Sequence, residues 1–251
     1  MSFTDLFSEK SATYAQARPT YPDALYRFVA GVAPAKERAW DCATGNGQAA
    51  IGLARHFGAV EATDASAQQV ANAIAAPGVR FSVQPAERTD FAPASFDAVC
   101  IAQALHWFDL DRFWPEVRRV VRPGGLVVAW CYGPTRLPDP ALNTVVYSLY
   151  DAVLGEWWPA NRRHIDASYT TINFPFPRLL SPALEMRVSW TLPQLLGYVR
   201  TWSAAQRYQA ATGLDPFPEF VAQLAPLWGE GMHEVEWPLT ILAGRNDAAH
   251  G

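Results

Sequence analysis

At 251 residues, half of them apolar and 18% charged, the chain can build one large α/β domain or a core carrying a lid, and it lacks the makeup of a disordered protein. A formal charge of −4, with no Lys/Arg stripe, excludes a general attraction to phosphate backbones, so nucleic acid is not an expected partner. No window is apolar for long enough to span a bilayer, and residues 1–5 lack a signal pattern, so a soluble cytoplasmic protein without membrane contact is expected.

Three cysteines, Cys42, Cys100 and Cys131, each fall in or beside a predicted strand. Their odd number and the lack of C-x-x-C spacing support neither a disulfide framework nor zinc, and no metal site is expected. They read as small buried side chains in a reducing compartment.

In chain order, residues 1–36 form a leading arm and helix. The arm ends in Tyr14-Ala15-Gln16-Ala17-Arg18-Pro19-Thr20-Tyr21-Pro22, where paired X-Pro steps oppose helix. Tyr14 and Arg18 are more than a helix start needs, so the arm is either a solvated strap or a lid over a ligand. From residue 38 the βα alternation is regular. The spacing predicts strands at 38–42, 60–63, 79–83, 96–101 and 126–130, with helices at 48–57, 66–76 and 109–121. Gly58, Pro77-Gly78 and Arg122-Pro123-Gly124-Gly125 are the helix stops, and Ser66 is an N-cap.

Near-continuous apolar strands separated by helices indicate a parallel sheet covered on both faces, here the core over 37–133. Residues 134–181 carry Trp157, Trp158, Arg162, Arg163, His164 and a Phe174-Pro175-Phe176-Pro177 run, and read as a cap inserted after strand five. In 182–251, residues 184–190 and 235–243 look like strands that pair antiparallel, while 193–212 and 216–228 look helical.

The centre of the chain is Asp41-Cys42-Ala43-Thr44-Gly45-Asn46-Gly47-Gln48, a strand that ends in an acid and turns into a helix. Gly45 and Gly47 let backbone approach a ligand, and the helix start leaves unpaired N–H groups facing the same place. With Ala50, the glycines satisfy G-x-G-x-x-G/A, and Asp64 follows at a ribose-binding distance. On the loop alone, an NAD(P)-dependent oxidoreductase stays open. Asp41, Asp64, Ala86-Glu87 and residues 103–107 all fall at the carboxyl ends of strands, where such sheets bind ligands.

Taken in order, Arg18-Pro-Thr-Tyr-Pro, the 41–48 loop, Ala62-Thr63-Asp64-Ala65-Ser66, Ala86-Glu87, Ser95-Phe96-Asp97, Gln103-Ala104-Leu105-His106-Trp107-Phe108 and Arg122-Pro-Gly-Gly resemble the class I S-adenosylmethionine-dependent methyltransferases. The resemblance covers roughly residues 7–133 and is nearest the small-molecule group of trans-aconitate methyltransferase-like, or type 11, proteins. It implies a Rossmann-like seven-stranded sheet with its last strand antiparallel.

It also implies residue roles. Asp41 and the loop of Ala43, Thr44, Gly45, Asn46, Gly47 and Gln48 would hold the methionine end and Asp64 the ribose hydroxyls, with Tyr14 and Arg18 of the arm also contacting the cofactor. Ala65 and Gln69 would flank the adenine, Ala86 and Glu87 would meet its edge, Gln103 would sit under the methionine, and His106 would also contact the cofactor. Ala43 departs from the family pattern, where Gly is common. The loop should close there with less freedom in φ.

S-adenosylmethionine carries an ammonium and a sulfonium and no pyrophosphate, so an acid before the loop favours it over a dinucleotide. The implied reaction is in-line methyl transfer to a small molecule, with a carboxylic acid as one candidate, yielding S-adenosylhomocysteine. Holding the two reactants aligned supplies much of the catalysis. His106 is the titratable group placed to act as a base, or to position a carboxylate that needs none.

Tyr14, Trp107, Phe108, Trp130 and Tyr132 are candidates for an aromatic lining. Trp107, Tyr132, Arg136, Trp158 and Arg162 are candidates for substrate contact, with Arg18, Arg163 and His164 completing a positive rim. A non-catalytic cofactor-binding regulator is the remaining alternative. The expected assembly is a monomer or homodimer.

Overall fold

β1 (Arg38–Cys42), β2 (Ala59–Asp64), β3 (Val79–Val83), β4 (Phe96–Ala102), β5 (Val121–Tyr132), β6 (Leu184–Trp190) and β7 (His233–Arg245) form one sheet in a computed structural model that describes residues 19–247. The strand order is β3-β2-β1-β4-β5-β7-β6. β1 to β5 pair in parallel, and β7 runs antiparallel between β5 and β6, as the paired pattern of 184–190 and 235–243 predicts. Tyr14 and Arg18 lie outside the described residues.

Side chains alternate across the strands. Trp40, Val99, Ile101 and Val127 point to one face, where Phe113, Val117 and Val120 of the helix Leu110–Val120 cover them. Ala39, Ala98, Cys100 and Val128 point to the other, against Leu25 and Val29 of α1 (Asp23–Val32) and Ala49 and Leu53 of α2 (Gln48–Leu53). The crossovers leave β1 and β4 in opposite directions, opening a crevice above their carboxyl ends.

Below the sheet, the fully buried Asp97 accepts from the Glu37 and Arg38 amides (2.8 and 2.9 Å) and pairs with Arg122 (2.5 Å). This ties the starts of β1, β4 and β5 together. Here the structure corrects the predicted start of strand five: pairing begins at Val121↔Phe96, then Arg122-Pro123-Gly124-Gly125 bulges out before Leu126 pairs with Ala98.

The helix predicted over 66–76 covers only Ala67–Ala71, because the chain then crosses the 43–48 loop and the Ile74 amide donates to the Asn46 carbonyl (3.2 Å). The helix predicted over 48–57 ends at Leu53, with turns leading to Gly58. The 193–212 stretch is two helices, Leu192–Val199 and Ser203–Thr212.

Residues 134–181 contain helix Pro140–Ser148, a π-turn at Leu149–Val153 and the short helix Arg162–Asp166. The segment is pinned to β7 near both ends by backbone pairs, Arg136 with Glu236 and Arg178 with Gly244. Among the described residues no helix is long and apolar enough to cross a membrane.

Candidate functional site

The 43–48 loop turns on three left-handed residues, Ala43 (φ 55°), Gly45 (φ 57°) and Gly47 (φ 92°). At Gly47 a Cβ would stand 2.7 Å from the tip of the Phe81 ring, so a side chain here would have to push that ring aside as well as hold a strained positive φ. Ala43 holds its conformation at a cost of roughly 1–2 kcal/mol that glycine would avoid. Polar contacts hold it there: the Thr44 amide donates to the Thr63 carbonyl (2.8 Å) and the Gly45 amide to Asp64 Oδ2 (2.9 Å), while the Ser66 amide takes Oδ1 (2.8 Å). Asp64, the expected ribose acid, therefore also staples the loop to the next helix start. The Gln48 side chain donates to the Pro19 carbonyl (3.1 Å), which brings the end of the leading arm onto α2.

Asp41 is fully buried beneath this loop. Its Oδ2 accepts from Thr44 Oγ1 (2.5 Å), but Oδ1 is buried with no hydrogen-bond partner among the described residues. Burial pushes its pKa up to about 7, against the opposing pulls of the Thr44 hydroxyl and the Ala50 amide. A buried carboxylate oxygen left without a donor fits a cationic ligand group, because the cation would supply what folding withholds. Asp41 and its loop therefore suit an amino acid ammonium.

The other strand ends converge on the same crevice. Ala65 is exposed and Gln69 half-buried beside the loop, with Gln69 Oε1 at 4.0 Å from where a Gly45 Cβ would be. Ala86 is buried, and Glu87 accepts from the Asp109 amide (3.2 Å). Gln103 adopts a left-handed conformation (φ 55°), and its side-chain amide forms a two-way bridge to Tyr132, accepting from its N–H (3.0 Å) and donating to its carbonyl (3.2 Å). That brace locks the top of β4 to the top of β5.

From Gln103 a cleft opens toward the 134–181 segment. Its wall includes His106, Trp107, Tyr132, Tyr150, Trp158 and Arg162. Tyr150, Trp158 and Trp202 pack on one another with ring centroids 4.8–5.7 Å apart. The Arg162 guanidinium lies 4.7 Å from the Trp158 ring centroid and 5.5 Å from that of Tyr150. Its Nε donates to Tyr150 Oη (3.0 Å) and lies 3.4 Å from Asp166 Oδ1. Among the described residues neither terminal nitrogen of Arg162 is hydrogen-bonded.

His106 Nδ1 lies 3.2 Å from the hydroxyl of Tyr169. Burial first, then the charges of Arg162 and His164, push the imidazole down to about 3, so at neutral pH the ring carries no charge. A group so hard to protonate is a weak base, which weighs on the expectation that His106 abstracts a proton.

Of the predicted substrate residues, Trp107, Tyr132, Trp158 and Arg162 line the cleft. Arg136 does not: it is exposed, with its backbone paired to Glu236. Arg163 is also exposed, and His164 bonds Thr171 Oγ1 (2.7 Å). The positive rim thus reduces, among the described residues, to Arg162.

Two proposed lining aromatics are packing residues instead. Phe108 lies against Phe113 (4.6 Å), and Trp130 is fully buried edge-on to Tyr21 (5.6 Å). Tyr150, Asn161, Tyr198 and Trp202 were not foreseen in the cleft, and Tyr169 was not foreseen behind it. Tyr198 lies in the helix Leu192–Val199, where an aromatic reads the same facing a core or a cleft, and the others lie in turns and short irregular helices. All three cysteines are buried free thiols, and among the described residues no cluster of three metal-ligating side chains occurs.

Comparison with known proteins gives a consistent picture. Residues 40–129 match the model of a methyltransferase domain. A Dictyostelium discoideum protein named as a methyltransferase is 30% identical over 86% of this chain and 84% of its own. A solved structure described as a type II methyltransferase, from Anaeromyxobacter dehalogenans, is 46% identical, covers 92% of this chain and 98% of its own, and superposes with a TM-score of 0.87. A Haemonchus contortus phosphoethanolamine N-methyltransferase, solved with phosphomonomethylethanolamine and S-adenosylhomocysteine, is 17% identical, covers 99% of this chain and 61% of its own, and has a TM-score of 0.52; it shares the fold.

Proposed function

Because this chain belongs to the class I S-adenosylmethionine-dependent methyltransferases, we propose that it methylates a small organic acid in the cleft between Gln103 and Arg162. Neither hydride transfer nor a purely regulatory role is retained for an enzyme of this family. The methyl donor supplies an electrophilic carbon on a sulfonium.

The chain's residues do the rest. Asp41, with its bare Oδ1, holds the ammonium, and the 43–48 loop closes around the methionine end. Asp64 takes the ribose hydroxyls, with Ala65, Gln69, Ala86 and Glu87 around the base. The Gln103–Tyr132 brace fixes the floor where donor and acceptor meet. Alignment of the two reactants accounts for much of the rate, up to roughly 7–11 kcal/mol in well-oriented systems. The aromatic walls exclude water, and their ring faces tolerate the positive sulfonium.

The observation that carries the acid is Arg162. A cation on the cleft wall, set over the adjoining Trp158 and Tyr150 rings and hydrogen-bonded only through Nε among the described residues, is arranged to receive a planar anion on its two terminal nitrogens. The uncharged His106 supports the same reading, since an ionised oxygen needs no base to accept a methyl group. His106 then positions the acceptor.

The test is release of S-adenosylhomocysteine across a panel of small acids, phenols and amines. Acids should dominate, and Arg162→Gln should raise KM for them about 10–100-fold, the usual worth of hydrogen bonds to a charged group, with adenosylmethionine affinity kept. Turnover confined to uncharged amines, or an unchanged KM, would discard the acid.

A further inference from the structure

We infer that Tyr169 sets the tautomer of His106, donating its phenolic proton to Nδ1 so that the ring presents an Nε2–H donor to the acceptor cleft. Tyr169 is 1% exposed and faces His106 across 3.2 Å, with ring centroids 6.1 Å apart. The same hydroxyl also meets the Cys131 thiol of β5, which has Thr240 as a second partner. Two proton arrangements satisfy this chain. In one, the thiol donates to the phenol and the phenol to Nδ1. In the other, Nδ1–H donates to the phenol and the phenol to sulfur.

Chemistry separates them. A thiol sulfur is a weak acceptor, whereas the bare nitrogen of a neutral imidazole is a good one, so the phenolic proton goes to the ring. Fixing Nδ1 as the acceptor leaves the ring's own proton on Nε2. Nε2 has no hydrogen bond among the described residues, and His106 is part of the cleft wall. An N–H there complements an anion beside Arg162, whereas a lone pair would repel it.

The backbone around Tyr169 supports a dedicated placement. Ser168 and Tyr169 are consecutive left-handed residues (φ 51° and 57°), and neither is glycine. They close the helix Arg162–Asp166, with the Tyr169 amide donating to the His164 carbonyl (2.7 Å). This turn swings the tyrosine under His106. One short segment thereby supplies both the cleft's cation and the group that orients its imidazole. Backbone held in such conformations persists where its surroundings over-determine it. Tyr169 is thus a positioning residue that acts through His106.

The use of the Nε2–H donor rests on the cleft being the acid site; the tautomer itself does not. The first measurement is ¹⁵N NMR of the His106 ring in the full chain. Wild type should show a protonated Nε2 and a bare Nδ1, and Tyr169→Phe should mix the two forms. A protonated Nδ1 in wild type, or no change in Tyr169→Phe, overturns the inference.

The second measurement is titration with benzoate as a carboxylate probe. His106→Gln keeps an amide N–H near the Nε2 position and should bind within about threefold of wild type, while His106→Asn, which mimics Nδ1, should bind about tenfold more weakly. The reverse order overturns the inference without any need for Tyr169→Phe to fold. Benzoate failing to bind wild type would strike the acid reading and leave the NMR result to decide the tautomer.

Discussion

Asp41 and His106 are both buried titratable groups held in their neutral direction, and their linkage to pH has opposite sign. The Asp41 pKa rises from 3.8 to about 7, so between those values the folded protein holds a proton that the unfolded chain has lost. Its contribution to stability therefore falls as pH rises through that window, by up to about 4 kcal/mol at 1.36 kcal/mol per unit. The His106 pKa falls from 6.5 to about 3, so the unfolded chain binds the extra proton and stability falls as pH drops from 6.5 toward 3.

Asp41→Asn should accordingly be no less stable than wild type at pH 8, and relatively less stable at pH 5, as urea titrations at the two pH values would show. The same substitution should weaken adenosylmethionine binding at least tenfold, since it removes the ammonium's counter-charge. In wild type that affinity should decline as pH falls below about 7, when Asp41 takes up its proton. Flat affinity from pH 8 to pH 6 by calorimetry would separate Asp41 from the cofactor.

At the scale of elements, the glycine loop and the 162–169 segment solve similar problems with different residues. Gly47 avoids Phe81 by having no side chain, and Gly47→Ala should both destabilise the fold and abolish cofactor binding. Ala43, by contrast, has a left-handed backbone that glycine adopts freely. Ala43→Gly should change stability by less than about 1 kcal/mol in either direction, because relief of strain is offset by added freedom in the unfolded chain. A loss of several kcal/mol in a urea titration would mean that the Ala43 methyl packs against something the loop needs. Around Ser168-Tyr169 no glycine signals the turn; burial of the Tyr169 ring holds it.

Over the whole molecule, the two ends of the sheet divide the work. The carboxyl ends of the strands carry the crevice, while the opposite end is closed by Asp97, which accepts two amides and pairs with Arg122. Asp97→Ala would leave the Glu37 and Arg38 amides without their acceptor and Arg122 with only the Glu37 carboxylate (3.1 Å), and should cost roughly 3–5 kcal/mol, mostly from the two unpaired amides. Adenosylmethionine affinity of the remaining folded protein should be unchanged, because the lesion lies a strand's length from the loop. Weakened affinity at full folding would show that strain at the base of the sheet reaches the crevice.

The family, the sheet and the loop were legible in the chain because they depend on local patterns: apolar runs of strand length, glycines at a fixed interval, an acid at the end of a strand. Such patterns repeat their physics within ten residues. The cleft was legible only in part. Arg162 and Trp158 were named, but Arg136 fell outside it and Trp130 proved to be core, since arginine and tryptophan read the same in sequence whether they line a cavity or fill one. Tyr150 and Tyr169 lie far from His106 along the chain, in the 134–181 segment, which has no period to reveal its path, and Trp202 lies farther still, at the turn between two helices. Even the charge state of His106 depends on Arg162, 56 positions away, and on how much water the fold excludes between them. Residue type and spacing determined which chemistry the protein is built for; burial and the meeting of distant side chains, which only tertiary structure decides, set where its protons and charges lie.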